Sequence, residues 1–251
     1  MEKNLFREVY KQVCGLALKD CPPSSLSGLL HGYLSVYSMV RVYPWLEDEY
    51  GSLWDIHDRI REIARVIQEL LKDKDIPVDT RAGYVVDLMD AYLLYSDLKF
   101  LDTALDTAYE ILIPKGSDKI VLPCRTPNIC RLLCNCYYFT GEDECALLAG
   151  GLVTEIMGLS RKFSWDELFA WNKAFQVYKN IIEDVGIFVE EREYWHEEIF
   201  RLELSVKQVR NENVVCFLRG KIEGDISSLI DTFDYWAERE FCEYNNMYLL
   251  K

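Results

Sequence analysis

The sequence predicts an all-α fold built from antiparallel helical hairpins, and three observations carry that expectation. Apolar residues recur at three- and four-residue intervals through most of the chain, the period of an amphipathic helix and not the alternation of a strand. Proline, glycine and Ser, Thr or Asp cap residues fall between those periodic stretches, where helices start and stop. Two segments, AYLLYSDLKFLDTALDTAYEIL (91–112) and NCYYFTGEDECALLAGGLVTEIM (135–157), also share one plan. In each, an apolar helix ends in aromatics, a polar turn follows, and a second helix begins with acidic residues.

In chain order, Leu5, Val9, Val13, Leu16 and Ala17 trace the apolar face of a first helix, which Cys21-Pro22-Pro23 must end. Ser24 or Ser25 caps a helix over 26–42, closed by Pro44. A long amphipathic helix spans 53–71, with Ile56, Ile60, Ile63, Val66, Ile67 and Leu70 on one face. Helices over 80–95 and 98–113 flank a tight Ser96-Asp97 turn. Thr126 caps a helix with Pro127 at its first position, running to about Phe139 and turning at Thr140-Gly141. Its partner covers 142–159. Ser164 caps 165–185, which Gly186 breaks, and 187–209 is a further charged amphipathic helix. Residues 211–224 contain VVCFL, which fits a short strand, and Asp225 caps a final helix over 226–248.

Superposing Ser96-Asp97 on Gly141-Glu142 sets the two similar segments 45 residues apart, and the same step backwards places Leu98 beside Leu53. A hairpin period of about 45 residues is a repeat signature. Stacked hairpins form an open solenoid or curve into a partial or degenerate (α/α) toroid. The 251 residues fit a single helical domain over 1–251, with the clearest repeats in 25–160 and a less regular helical part in 161–251.

Composition narrows the function classes. Half the residues are hydrophobic and 13% aromatic, so the chain buries a sizeable core. Its net charge of −14 disfavours a broad nucleic-acid or anionic-membrane surface and suits a cationic or basic partner. No window has the roughly 18 uncharged apolar residues of a membrane span. The first residues, MEKNLFREVY, lack a signal peptide's apolar segment, so a cytoplasmic protein with reduced thiols is expected.

SLSGLLHGYLSVYSMVRVYP (25–44) resembles the Gly-containing inner helices of lanthionine synthetase C-like proteins. The joints YSDLKFLDTALDTA and FTGEDECALLAG resemble those of the six-hairpin (α/α) toroid superfamily. VVDLMDAYLLY (85–95) is similar to the inner helix that carries a catalytic Asp in unsaturated glucuronyl hydrolase-like proteins. That resemblance implies a catalytic role for Asp87 and a glycoside hydrolase-like or lanthionine cyclase-like activity. The chain has no adjacent Cys-His pair after residue 160, so the zinc centre of the cyclases is not expected.

Asp87 and Asp90 lie three residues apart on one helix, and two carboxylates on one face can divide acid and base roles. The favoured reading is that they are structural charges near a helix N-terminus or on a solvated edge. Arg81 is placed to pair with either one. His31, Tyr37 and Tyr92 are the candidate ligand-binding residues, on helices that would face a toroid's centre. His57 lies among Asp55, Asp58 and Arg59 on an outer face, and His196 sits in EYWHEEIF. The cysteine-rich stretch CRTPNICRLLCNCYYFTGEDEC (124–145) offers Cys130 and Cys134 on one helix face for zinc. Cys136 falls about 200° around from Cys134, so the two cannot clasp one ion from a regular helix. Small buried thiols are the expected reading, with no metal and no cofactor.

The Ile230, Phe233, Trp236, Ala237 and Phe241 stripe reads as core or as a partner groove. The expected function is therefore a non-catalytic helical-hairpin binding or accessory protein, with a peptide, a basic protein or a carbohydrate as partner. The alternative is a six-hairpin-type enzyme acting on a carbohydrate or peptide in a central cleft.

Overall fold

The computed structural model describes residues 2–158, 164–182, 224–235 and 237. Among the described residues every regular element is helical and there is no strand. The expected helix over 187–209, the VVCFL segment, His196, and the ends of the helices expected to reach 185 and 248 lie outside them. No helix among the described residues is long and apolar enough to cross a membrane.

The chain divides into two compact units, Met1–Leu70 with Glu212–Lys251, and Leu71–Asn211. In the first lie α1 (Glu2–Cys14), α2 (Leu26–Val42), the single turn α3 (Glu47–Tyr50), α4 (Leu53–Leu70) and helical residues 226–235 and 237. Helix α1 stops three residues before Ala17. Gly15 and Leu16 leave the helix through bonds to the Gln12 and Val13 carbonyls, because glycine weakens a last turn that no cap holds. Ser25 sits before α2 but does not cap it. Its hydroxyl is 2.8 Å from that of Ser227 and links α2 to the C-terminal helical segment. Asp225 does cap that segment, accepting from Ser228 N at 2.9 Å.

Aromatic packing holds this unit. Phe6 stacks on Phe233 at 6.3 Å, Tyr33 meets Phe233 edge-on at 5.3 Å, and Tyr10 meets Tyr50 at 5.3 Å. The Tyr10 hydroxyl donates to the Tyr50 carbonyl at 2.6 Å. Burial raises the Tyr10 and Tyr33 hydroxyls well above the ordinary phenol value, so both stay protonated donors. A Cβ at Gly32 would lie 2.3 Å from the Phe233 ring, so α2 carries glycine where that ring enters. Ile230, Phe233 and Ala237 are buried here, as core.

The second unit contains α5 (Val78–Tyr95), α6 (Leu98–Leu112), α7 (Pro127–Thr140), α8 (Asp143–Met157) and α9 (Trp165–Ile181). Helices α5, α7 and α9 pack side by side, while α6 packs on α5 and α8 on α7. Local chemistry sets each boundary. Ser96 at φ 54° ends α5, and Asp97 caps α6 through Lys99 N at 3.1 Å. Thr126 accepts from Ile129 N to cap α7, with Pro127 first in the helix, and Gly141 at φ 72° ends it. Ser164 and Glu167 close a reciprocal capping box on α9.

Candidate functional site

Helices α5 and α7 are buried almost all round. Every residue from Arg81 to Met89 is buried, as is every residue from Ile129 to Cys136. Such helices are normally apolar on all faces. These two instead carry Arg81, Asp87, Arg131 and Asn135 among the buried positions. They run parallel: Asn128 near the start of α7 donates to the Asp79 carbonyl and carboxylate near the start of α5, both at 3.3 Å. Near their ends, the Tyr92 and Phe139 rings meet edge-on at 5.9 Å.

The polar groups along this seam have specific partners. Asp90 Oδ2 lies 4.0 Å from Arg131 Nη2, joining α5 to α7. Asn135 Nδ2 donates to the Arg131 carbonyl at 2.9 Å. Arg81 does not pair with Asp87 or Asp90. At 100° per residue those positions fall 240° and 180° around the helix from it. Its Nη2 reaches Glu110 Oε2 on α6 at 3.1 Å, and Lys74 Nζ holds the other Glu110 oxygen at 3.1 Å. Hydrogen bonds from Lys74 and then Arg81 hold the Glu110 carboxyl below the ordinary carboxylate value, against a smaller opposing effect of burial. Asp87 is 0% exposed, and burial followed by its charge raises the Tyr84 hydroxyl.

The five candidate residues divide between the units. Asp87, Asp90 and Tyr92 lie on α5, the two carboxylates about one turn apart. His31 and Tyr37 lie on α2 of the first unit, both half-buried. The Tyr37 ring is 5.9 Å from the imidazole of His57, which faces Trp54 at 6.1 Å. His57 is thus half-buried between two aromatic rings and not on an open outer face. The guanidinium of Arg131 is the partner that sequence reading missed. Its one visible signal was a lone charge in the otherwise uncharged run from Ile129 to Cys136.

The cysteines form pairs. Cys130 and Cys134 are hydrogen-bonded one turn apart on α7, and burial pushes the Cys134 thiol well up. Cys136 and Cys145 share a side-chain hydrogen bond across the joint between α7 and α8. That bond lowers the Cys145 thiol, while the same bond and then burial raise Cys136. The described cysteines form no disulfide. Among the described residues no group of three or more His, Cys, Asp or Glu side chains is placed to hold a metal ion.

The joint end of α5 and α7 presents a different surface. Leu93 is 55% exposed, Leu98 61% and Tyr138 58%. Tyr138 stands edge-on to Phe139 at 5.0 Å, and Phe139 in turn meets Tyr92, so the exposed ring rests on a packed aromatic base. Exposed Asp97 and Lys99 lie at the α5–α6 joint, and exposed Glu142, Asp143 and Glu144 at the α7–α8 joint.

Among the described residues these features define a helical protein with a buried polar seam and, at the end of its second unit, exposed apolar side chains and exposed acidic residues. No protein-family model, no curated protein and no solved structure matches the chain.

Proposed function

We propose that the chain is a non-catalytic helical-hairpin binding protein, whose hairpins repeat about every 45 residues as part of a partial (α/α) toroid. Three helices begin at Leu53, Leu98 and Asp143, each forty-five residues after the last. Of the four described residues with positive φ, Gly51, Ser96 and Gly141 fall in the same register, and Gly116 lies outside it. The next step of that spacing falls on Gly186, outside the described residues. This regularity favours the repeat and, with it, the likeness of the joints to six-hairpin toroids. Acidity suits a basic partner, and the cytoplasm suits the thiols.

The observation that carries the binding reading is the pair Leu93 and Tyr138. They occupy equivalent places on two neighbouring parallel helices, and both leave more than half their surface in water. Large apolar side chains held out on packed helices are the material of an interface. Asp87, by contrast, lies at 0% exposure on a helix buried all round, a poor place from which to meet a sugar or peptide. The test is turnover. Purified chain should not cleave unsaturated glucuronyl oligosaccharides or cyclise dehydrated cysteine-containing peptides above the buffer rate. Turnover that disappears in Asp87→Asn or Asp90→Asn, with the fold intact by circular dichroism, would instead establish the hydrolase or cyclase alternative.

A further inference from the structure

We infer that the joint end of α5 and α7 docks a basic amphipathic helix, seated on Leu93 and Tyr138. The inference rests on the binding-protein reading above and names the partner's chemistry. Neighbouring packed helices lie about 8–10 Å apart. Two side chains at equivalent heights on them present apolar anchors at about that separation. A helical ligand rises about 1.5 Å per residue, so anchors seven residues apart span about 10.5 Å and match it. The base under Tyr138 is packed, with Phe139 at 5.0 Å and Tyr92 behind it at 5.9 Å from Phe139. The ligand therefore meets an ordered platform and loses little to rearrangement on the receptor side.

Charge selects among occupants. Asp97, Glu142, Asp143 and Glu144 stand exposed at the two joints against Lys99. Two acidic residues, Asp97 and Glu142, occupy equivalent places immediately before α6 and α8. An acidic or neutral helix would bring like charge or none to this rim. A second copy of the chain, itself at −14, would do the same. A ligand with lysine or arginine flanking two apolar anchors complements both the apolar base and the rim.

The probe is a fluorescein-labelled helical peptide of roughly 15 residues with leucines seven apart and lysines on its other faces, titrated into the full chain. Two controls carry glutamate for lysine, or serine for leucine. The lysine-leucine peptide should bind, and both controls should bind at least about tenfold more weakly. Leu93→Ser with Tyr138→Ser, at exposed positions that leave the core intact, should weaken binding by about tenfold. Glu142→Gln with Asp143→Asn and Glu144→Gln should weaken it by about threefold and flatten its salt dependence. Absence of binding overturns the inference, as does equal binding of the glutamate peptide. Binding that ignores Leu93→Ser with Tyr138→Ser overturns this surface and leaves the binding-protein reading standing. Sedimentation supplies the last outcome: a dimer that those two substitutions convert to monomer assigns the face to self-association and overturns the basic-helix occupant.

Discussion

The two hairpins of the second unit, α5–α6 and α7–α8, share a backbone plan and differ in the chemistry that fastens it. Each ends its first helix at a residue with positive φ, Ser96 in one and Gly141 in the other. Each starts its second helix after an acidic residue. Yet α5 is tied to α6 by the ion pair of Arg81 with Glu110, whereas α7 is tied to α8 by the hydrogen-bonded thiols Cys136 and Cys145. Between the hairpins run Asp90 to Arg131 and Asp79 to Asn128. The lesson is that helix length and turn placement keep the hairpins alike. The buried polar contacts are local solutions, free to differ wherever donors and acceptors are matched.

Breaking the link between the hairpins should have the largest effect. The Arg131 side chain is 8% exposed, so removing it costs packing and takes a buried positive charge away from Asp90. Arg131→Ala should lower unfolding free energy by about 3 kcal/mol in urea denaturation. Asp90→Asn should cost less, because the Asp90 side chain is 31% exposed and solvent already screens it. Equal losses would mean that the pair, and not the buried guanidinium, carries the stability.

The joints offer a test with opposite signs. Serine in the left-handed region pays the Cβ penalty that glycine avoids. Ser96→Gly should therefore stabilise the protein by about 0.5–1 kcal/mol, and Gly141→Ala should destabilise it by about 1 kcal/mol. Thermal melts of the two variants decide it. A change of the same sign at both positions would show that the turns are not equivalent.

Helix boundaries were legible wherever a residue's own backbone chemistry set them. Thr126-Pro127, Gly141 and Ser164 mark starts and stops that the structure places where the sequence did. The end of α1 was not, because Leu16 and Ala17 continue the apolar period past Gly15, and periodicity alone cannot weigh a missing cap. Ser25 reads as a cap, but its hydroxyl is drawn to Ser227, 202 positions away. The candidate site was legible only as residue types. Asp87 and Asp90 could be singled out, but the burial of one and the Arg131 partner of the other depend on α7, which lies more than forty residues on. Likewise Cys136 and Cys145 read as separated by a turn, and it is the closing of that turn that brings their sulfurs together.

The smallest effect concerns pH, and it separates the two hairpins by the groups that fasten them. In the folded state Lys74 and Arg81 hold the Glu110 carboxyl below its ordinary value. The folded protein then takes up a proton at Glu110 less readily than the unfolded chain does. That contribution is full above the unfolded value and is lost as pH falls through the folded one. The Glu110 side chain is 50% exposed, so screening keeps the contribution within about 1 kcal/mol. The stability gap between the native chain and Glu110→Gln should accordingly close between about pH 6 and pH 3, and should shrink with added salt. A gap constant across that range would mean that the Glu110 contacts act through shape alone. The interaction with Cys145 and burial push the Cys136 thiol up and away from this range, so Cys136→Ser should leave the acid limb of the stability curve unmoved while Glu110→Gln alters it.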